Sequence, residues 1–291
     1  MRHPRPKAER GVRVESGHQR KLSVYRRGLA SGTTPEGWLA IEGPILFADA
    51  LQLAGEPATS ASVIDGRLKI RSVLVTEREA NRLVDALRRL PADTEVNLMS
   101  ERLFKRVAMT ESPRGIAALV ELPHRDLDAT LSHADVLVMI ACGLQDPGNL
   151  GTMIRSSQAL GGTALLTLQN TVSPFNPKAL RSSAGAAFRL PIFTGLQPES
   201  LLHRLRGFGI RIVATDRRGD RLLTDEDLRG PVAILIGQEA AGLDEALRRS
   251  ADARVAIRIR RDTDSLNAAA AATIILYEAA RQRGFRFDEP V

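Results

Sequence analysis

Val136-Leu137-Val138-Met139-Ile140-Ala141-Cys142-Gly143-Leu144-Gln145-Asp146-Pro147-Gly148-Asn149-Leu150-Gly151-Thr152-Met153-Ile154-Arg155 passes from an unbroken apolar run, through a polar Pro-Gly turn, into a stretch of helical period. An apolar run this short, followed by a turn and a helix, reads as a strand buried on both faces of a parallel sheet. The same reading fits Thr163–Leu168, Ile210–Thr215 and Val232–Ile236, with a fifth strand over Val255–Ile259. Helical stretches lie between them at about 149–160, 176–186, 198–207 and 242–249. An Ala-rich helix over 265–282 closes the chain, its basic end (Arg281, Arg283) suited to the negative end of the helix dipole. Residues 135–291 therefore read as an α/β domain with a parallel sheet.

Upstream the alternation is less regular. Strands are expected over Trp38–Ile41, Ile70–Val75, Glu95–Met99 and Gly115–Glu121. Helices are expected over Pro44–Ala54, Glu77–Leu90 and Glu101–Ala108. These make a smaller α/β domain over 21–121. Residues 122–134 lose apolar period and read as a linker.

The 291 residues carry a net charge of +7. Nine Lys/Arg fall within residues 1–27 against two acids, leaving 32 basic and 32 acidic residues elsewhere. The surplus thus sits at the N-terminus, where residues 1–20 read as a disordered basic tail. Such a tail is either a phosphate-binding arm, gaining from counterion release, or a merely solvated terminus. No apolar run reaches the ~18 residues that span a bilayer, and the basic start lacks the apolar core of a secretory signal. Cys142 is the single cysteine, so an intramolecular disulfide is excluded and a reducing, cytoplasmic location is expected.

Three segments at strand or helix boundaries carry the chemistry. In the first, Asn149 is placed to cap the helix that presents Arg155. In the second, Ile234-Leu235-Ile236-Gly237-Gln238-Glu239, glycine lets backbone approach a ligand and Glu239 stands at the lip of the sheet. In the third, Asp264-Ser265-Leu266-Asn267, Ser265 is placed to cap the last helix, with Asn267 in its first turn. Ligands in open α/β sheets bind at strand C-terminal ends, where the first two segments lie. The glycine fingerprint Gly-x-Gly-x-x-Gly of dinucleotide-type folds is absent.

Together the three segments resemble the signature motifs of the SpoU (TrmH-type) RNA 2′-O-ribose methyltransferases of the SPOUT superfamily. Lys178-Ala179-Leu180-Arg181-Ser182-Ser183-Ala184-Gly185 resembles a further basic segment of that family. Trp38 to Pro44 and Phe104 to Gly115 resemble its N-terminal RNA-binding domain. The resemblance implies a deep trefoil knot in the second domain, S-adenosyl-L-methionine as methyl donor, no metal, and a homodimer. It implies an active site of Asn149, Arg155, Glu239, Ser265 and Asn267. It assigns the donor to Leu168, Gly237, Ile257 and Leu266, and RNA phosphate to Lys178 and Arg181. The substrate it implies is RNA, large-subunit ribosomal RNA before transfer RNA, with guanosine a candidate base. A non-catalytic RNA-binding assembly factor on the same scaffold is the alternative.

Methyl transfer to a ribose hydroxyl needs positioning and a destination for a poorly acidic proton. The resemblance gives Arg155 the role of activating the hydroxyl. Arginine is a poor base near neutrality, so Arg155 either loses its proton transiently or stays charged and stabilises the developing alkoxide. The chain departs from the family at Ile257-Arg258-Ile259, where Ile-Pro-Met is usual, and at Ala240, where glycine is frequent.

Overall fold

The computed structural model describes residues 12–13, 19–56, 67–239 and 241–286. The chain divides between His124 and Arg125 into two units.

The first unit runs β1 (Val12–Arg13), α1 (Gln19–Ser31), β2 (Leu39–Glu42), α2 (Pro44–Gly55), β3 (Lys69–Thr76), α3 (Glu77–Arg82), α4 (Val84–Arg88), β4 (Glu95–Met99), α5 (Glu101–Phe104) and β5 (Ile116–Glu121). Its sheet has the order β1-β4-β3-β5-β2, with β5 antiparallel to both neighbours. Most of the expected tail lies outside the described residues. Within it, however, Val12 and Arg13 pair with β4, and α1 begins at Gln19. The helix α1 was not expected from the sequence. Leu22, Tyr25 and Leu29 follow helical spacing, and the last two are buried against Ala40, Leu74 and Phe104. The Tyr25 hydroxyl bonds Ser72 Oγ at 2.8 Å, and burial raises its pKa well above the usual range. The single helix expected over Glu77–Leu90 is two, broken at Leu83 (φ −105°, ψ 24°) just after Asn81, a weak helix former.

The second unit runs α6 (Leu127–Leu131), β6 (Leu137–Ala141), α7 (Pro147–Ala159), β7 (Ala164–Leu168), α8 (Pro177–Ser183), α9 (Ala186–Arg189), β8 (Ile192–Leu196), α10 (Pro198–Gly207), β9 (Arg211–Thr215), β10 (Arg221–Leu222), β11 (Val232–Ile236), α11 (Glu245–Ser250), β12 (Ala253–Ala256) and α12 (Ala268–Gln282). The expected linker is partly structured, because Asp126 caps α6 and Leu131 is buried. The seven strands are all parallel, in the order β10-β12-β9-β11-β6-β7-β8. Every residue of β6, β7 and β11 is buried, as their apolar runs require. Two strands were missed: β8 is a half-exposed edge containing Gly195 (φ 69°), and β10 has two residues.

The strand expected over Val255–Ile259 instead covers Ala253–Ala256. Its neighbour β9 ends at Thr215, opposite Val255, so the chain beyond Ala256 has no ladder to join. The stretch expected as one helix over 176–186 breaks where Ala184 (φ 47°) and Gly185 (φ 80°) turn left-handed. At the start of the sheet, Arg283 donates to the carbonyls of Asp135 (2.8 Å), Val136 (3.1 Å), Leu228 (2.9 Å) and Gly230 (2.6 Å). It therefore ties the last helix to the loops entering β6 and β11, rather than serving its own helix dipole.

The chain leaves β6 towards β7 and β8 on one side, and leaves β11 towards β12 on the other. The strand order thus reverses between β6 and β11. The loops after these two strands flank the crevice where such sheets bind ligands.

Candidate active site

Local structure at the β6–α7 turn differs from the expectation. Asp146, not Asn149, caps α7: its Oδ1 accepts from the Asn149 backbone N–H at 2.9 Å, and Pro147 takes the first helical position. The Asn149 side chain is consequently free to act elsewhere. Asn267 in turn replaces Ser265 as the cap of α12, its Oδ1 accepting from Ala269 N (2.9 Å) and Ala270 N (3.2 Å).

These shifts bring the three motifs together. Asn267 Nδ2 donates to Asn149 Oδ1 at 2.9 Å, and Asn149 Nδ2 donates to Glu239 Oε1 at 2.5 Å. The direction of this chain is fixed chemically. Backbone N–H groups only donate, so Asn267 must turn its oxygen to them and its nitrogen to Asn149, which then has only its own nitrogen to offer the carboxylate.

Beside this chain opens a cleft of about 460 Å³, a size suited to a small cofactor. Gly237, Glu239, Ile257, Ser265 and Leu266, all anticipated, line it. Gly237 must be glycine, because a Cβ there would lie 2.2 Å from the Gly242 carbonyl carbon. The approach is tight because Gln238 and Gly242 exchange backbone hydrogen bonds of 3.1 and 2.9 Å, with Gly242 at φ 68°. The altered loop exposes Arg258 and turns Ile257 and Ile259 to the cleft. Ala240 lies outside the described residues.

Asn149 and Asn267 reach the cleft only through Glu239, and four further anticipated residues do not line it. Leu168 ends β7 within the core at 4% exposure, with almost no side-chain surface to offer a ligand. Arg155 and Arg181 are exposed, on α7 and α8, and neither guanidinium has an ion pair or hydrogen-bond partner among the described residues. Lys178 is also exposed, but its Nζ holds Asp146 Oδ2 at 2.7 Å. That bond from Lys178, and next the bond from Asn149 N, hold the Asp146 carboxyl below its ordinary pKa. The helices α7 and α8 come this close because Gly151 faces the Ala179 carbonyl, where a Cβ would sit at 2.3 Å.

The sequence reading missed Asp216, Arg217, Arg248 and Asp264, which also line the cleft. They form two ion pairs, Asp216–Arg248 at 3.6 Å and Arg217–Asp264 at 3.5 Å. Asp216 could have been found, since it directly follows an apolar strand at its C-terminal end.

The sequence profile of the SpoU rRNA Methylase family matches residues 136–277. The 23S rRNA (uridine(2479)-2′-O)-methyltransferase of Streptomyces viridochromogenes is 36% identical over 212 residues, 71% of this chain and 74% of that protein. The chain belongs to the SpoU rRNA methylase family. A second relative, 23S rRNA (guanosine(2553)-2′-O)-methyltransferase RlmP of Bacillus subtilis, is 33% identical over 65% of this chain and 75% of its own length. Among solved structures, the SpoU methyltransferase AviRb of Streptomyces viridochromogenes in complex with the cofactor AdoMet matches with a TM-score of 0.74 and 31% identity, over 90% of this chain and 97% of that one. As a SpoU family member this chain is an RNA methyltransferase. One residue from each motif meets in a single hydrogen-bonded chain, although Asn149 and Asn267 lie more than a hundred residues apart in sequence.

Proposed function

We propose that this protein transfers a methyl group from S-adenosyl-L-methionine to a ribose 2′-hydroxyl of large-subunit ribosomal RNA, with guanosine a candidate base. The observation that carries the proposal is the Asn267–Asn149–Glu239 chain. It joins all three motifs at the lip of a cleft lined by the segments that follow β9, β11 and β12. The backbone around Gly237, Ile257 and Leu266 would hold the donor, which supplies an electrophilic methyl group. Ser265 and Asn149 stand where the acceptor ribose would enter, and Arg155 would stabilise developing negative charge nearby. Arg181 supplies an unpaired cation for RNA phosphate. The knotted chain path implied by the family resemblance, through the loops after β11 and β12, belongs to this proposal.

A homodimer completes the reading. Helix α12 presents Ile274 and Tyr277 at 41% and 54% exposure on a face the described residues leave largely uncovered. Large apolar side chains grouped on one helix face suit burial against a second copy. A light-scattering mass of one chain at micromolar concentration would remove the dimer from the proposal.

The test is transfer of labelled methyl from S-adenosyl-L-methionine to ribosomal and transfer RNA from a strain lacking this protein. Label on one ribose of large-subunit RNA is the expected result. Label confined to transfer RNA would replace the substrate, and no transfer to either pool would favour a non-catalytic RNA-binding role.

A further inference from the structure

Charge pairing separates Glu239 from the other carboxylates around the site. Asp216 faces Arg248, Asp264 faces Arg217, and Asp146 holds Lys178. Each would have to give up a cation to take a proton. Among the described residues Glu239 has no cationic partner; its side chain meets only the neutral amide of Asn149. It is exposed, lines the cleft, and has no hydrogen-bond partner at Oε2 among the described residues. Arg155 stands off the cleft of its own chain, and a guanidinium is a far weaker base than a carboxylate near neutrality.

We infer that Glu239 accepts the proton of the substrate hydroxyl. This rests on the methyltransferase reading above and goes beyond it by assigning the proton a destination. The 2′-O–H bond breaks, its proton passes to a carboxylate oxygen of Glu239, and its electron pair forms the new O–CH₃ bond. The electron pair of the broken C–S bond stays on sulfur, so the positive charge of the donor is discharged and Glu239 ends as a neutral acid that later releases its proton to water. Asn149 and Asn267 act through Glu239 as positioning residues. Two backbone N–H groups at the start of α12 fix the Asn267 amide, Asn267 fixes Asn149, and Asn149 occupies Oε1, leaving Oε2 as the oxygen turned to substrate.

Glu239→Gln tests this cleanly, because its amide oxygen can still accept from Asn149. Three quantities are measured on the full-length protein: donor affinity by calorimetry, the titration of the Glu239 carboxyl by carbon NMR, and the pH dependence of kcat. In wild type, kcat should fall on the acid side in step with the NMR titration. Glu239→Gln should keep donor affinity within about threefold, lose about 100-fold or more in kcat, and lose that acid limb. Glu239→Asp should restore the limb with reduced kcat. A Glu239→Gln enzyme that keeps kcat within about threefold, or keeps the acid limb, overturns the inference while leaving the methyltransferase reading intact. Absence of transfer by wild type would instead overturn that reading, and the inference with it.

Discussion

Lys178 grips Asp146 across 2.7 Å, and Asp146 in turn caps the helix that carries Arg155. A lysine expected on RNA phosphate is therefore engaged inside the protein, supporting the cap that frees Asn149 for the site. Lys178→Ala should lower Tm and activity with little change in the salt dependence of RNA binding. Asp146→Asn carries a pH signature. The Asp146 carboxyl is held below its ordinary value of 3.8, so its contribution is fully present above that value and is lost as pH falls through its depressed folded value. The Tm gap between wild type and Asp146→Asn, followed by calorimetry, should be widest near about pH 7 and narrow below the ordinary aspartate value. A gap that widens in acid would reject this account of the cap.

Arg181 has no protein partner among the described residues, which suits it to phosphate. Arg181→Ala should leave stability unchanged, weaken RNA binding, and reduce the slope of log affinity against log salt by about 1. Filter binding at several salt concentrations gives that slope directly.

Arg155→Ala should cut kcat by about 100-fold with donor affinity within about threefold, since the side chain lies off the cleft that would hold the donor. Calorimetry and single-turnover transfer together decide this. A loss of donor binding equal to the loss of rate would place Arg155 on the donor after all.

Gly237→Ala forces a methyl against the backbone of Gly242 and Leu243, which cannot move aside as a flexible side chain would. A cost of about 1–3 kcal/mol is expected, with weakened donor binding. Denaturant unfolding and calorimetry measure the two effects separately.

Arg283→Met keeps the aliphatic stem but leaves four carbonyls without their donor. Loss of about 2–3 kcal/mol is expected in denaturant unfolding, far from the site and without a primary effect on donor affinity.

The strands at the centre of the second unit were legible because burial on both faces leaves an unbroken apolar run; Val232–Ile236 was placed to the residue. The edge strands of that sheet were not. The two residues of β10 carry no pattern, and β8 has one face in water and a glycine that shifts its register. Helix α1 went unnoticed because its apolar residues Leu22, Tyr25 and Leu29 are interleaved with basic ones that read as tail. In the site, residue types were legible but roles within the turns were not. Asp146, Asn149, Ser265 and Asn267 are all competent caps, and only tertiary structure decides which amide spends its oxygen on a helix and which is left for Glu239. The ion pairs Asp216–Arg248 and Arg217–Asp264 join segments distant in sequence, so no local pattern marks either pairing.

The position of β11 bears on how the molecule is made. It lies between β6 and β9, so a strand that begins at Leu137 waits for one that begins at Val232 before its open edge is closed. Contacts so distant in sequence form late and slowly. While synthesis proceeds, the half-built sheet carries an exposed apolar edge able to pair with other chains. The crevice that would do the chemistry lies at that same seam, so it cannot exist in any partly folded form. Ligand-binding competence should therefore appear only with the final closure of the sheet, making recovery of donor binding a direct clock for complete folding.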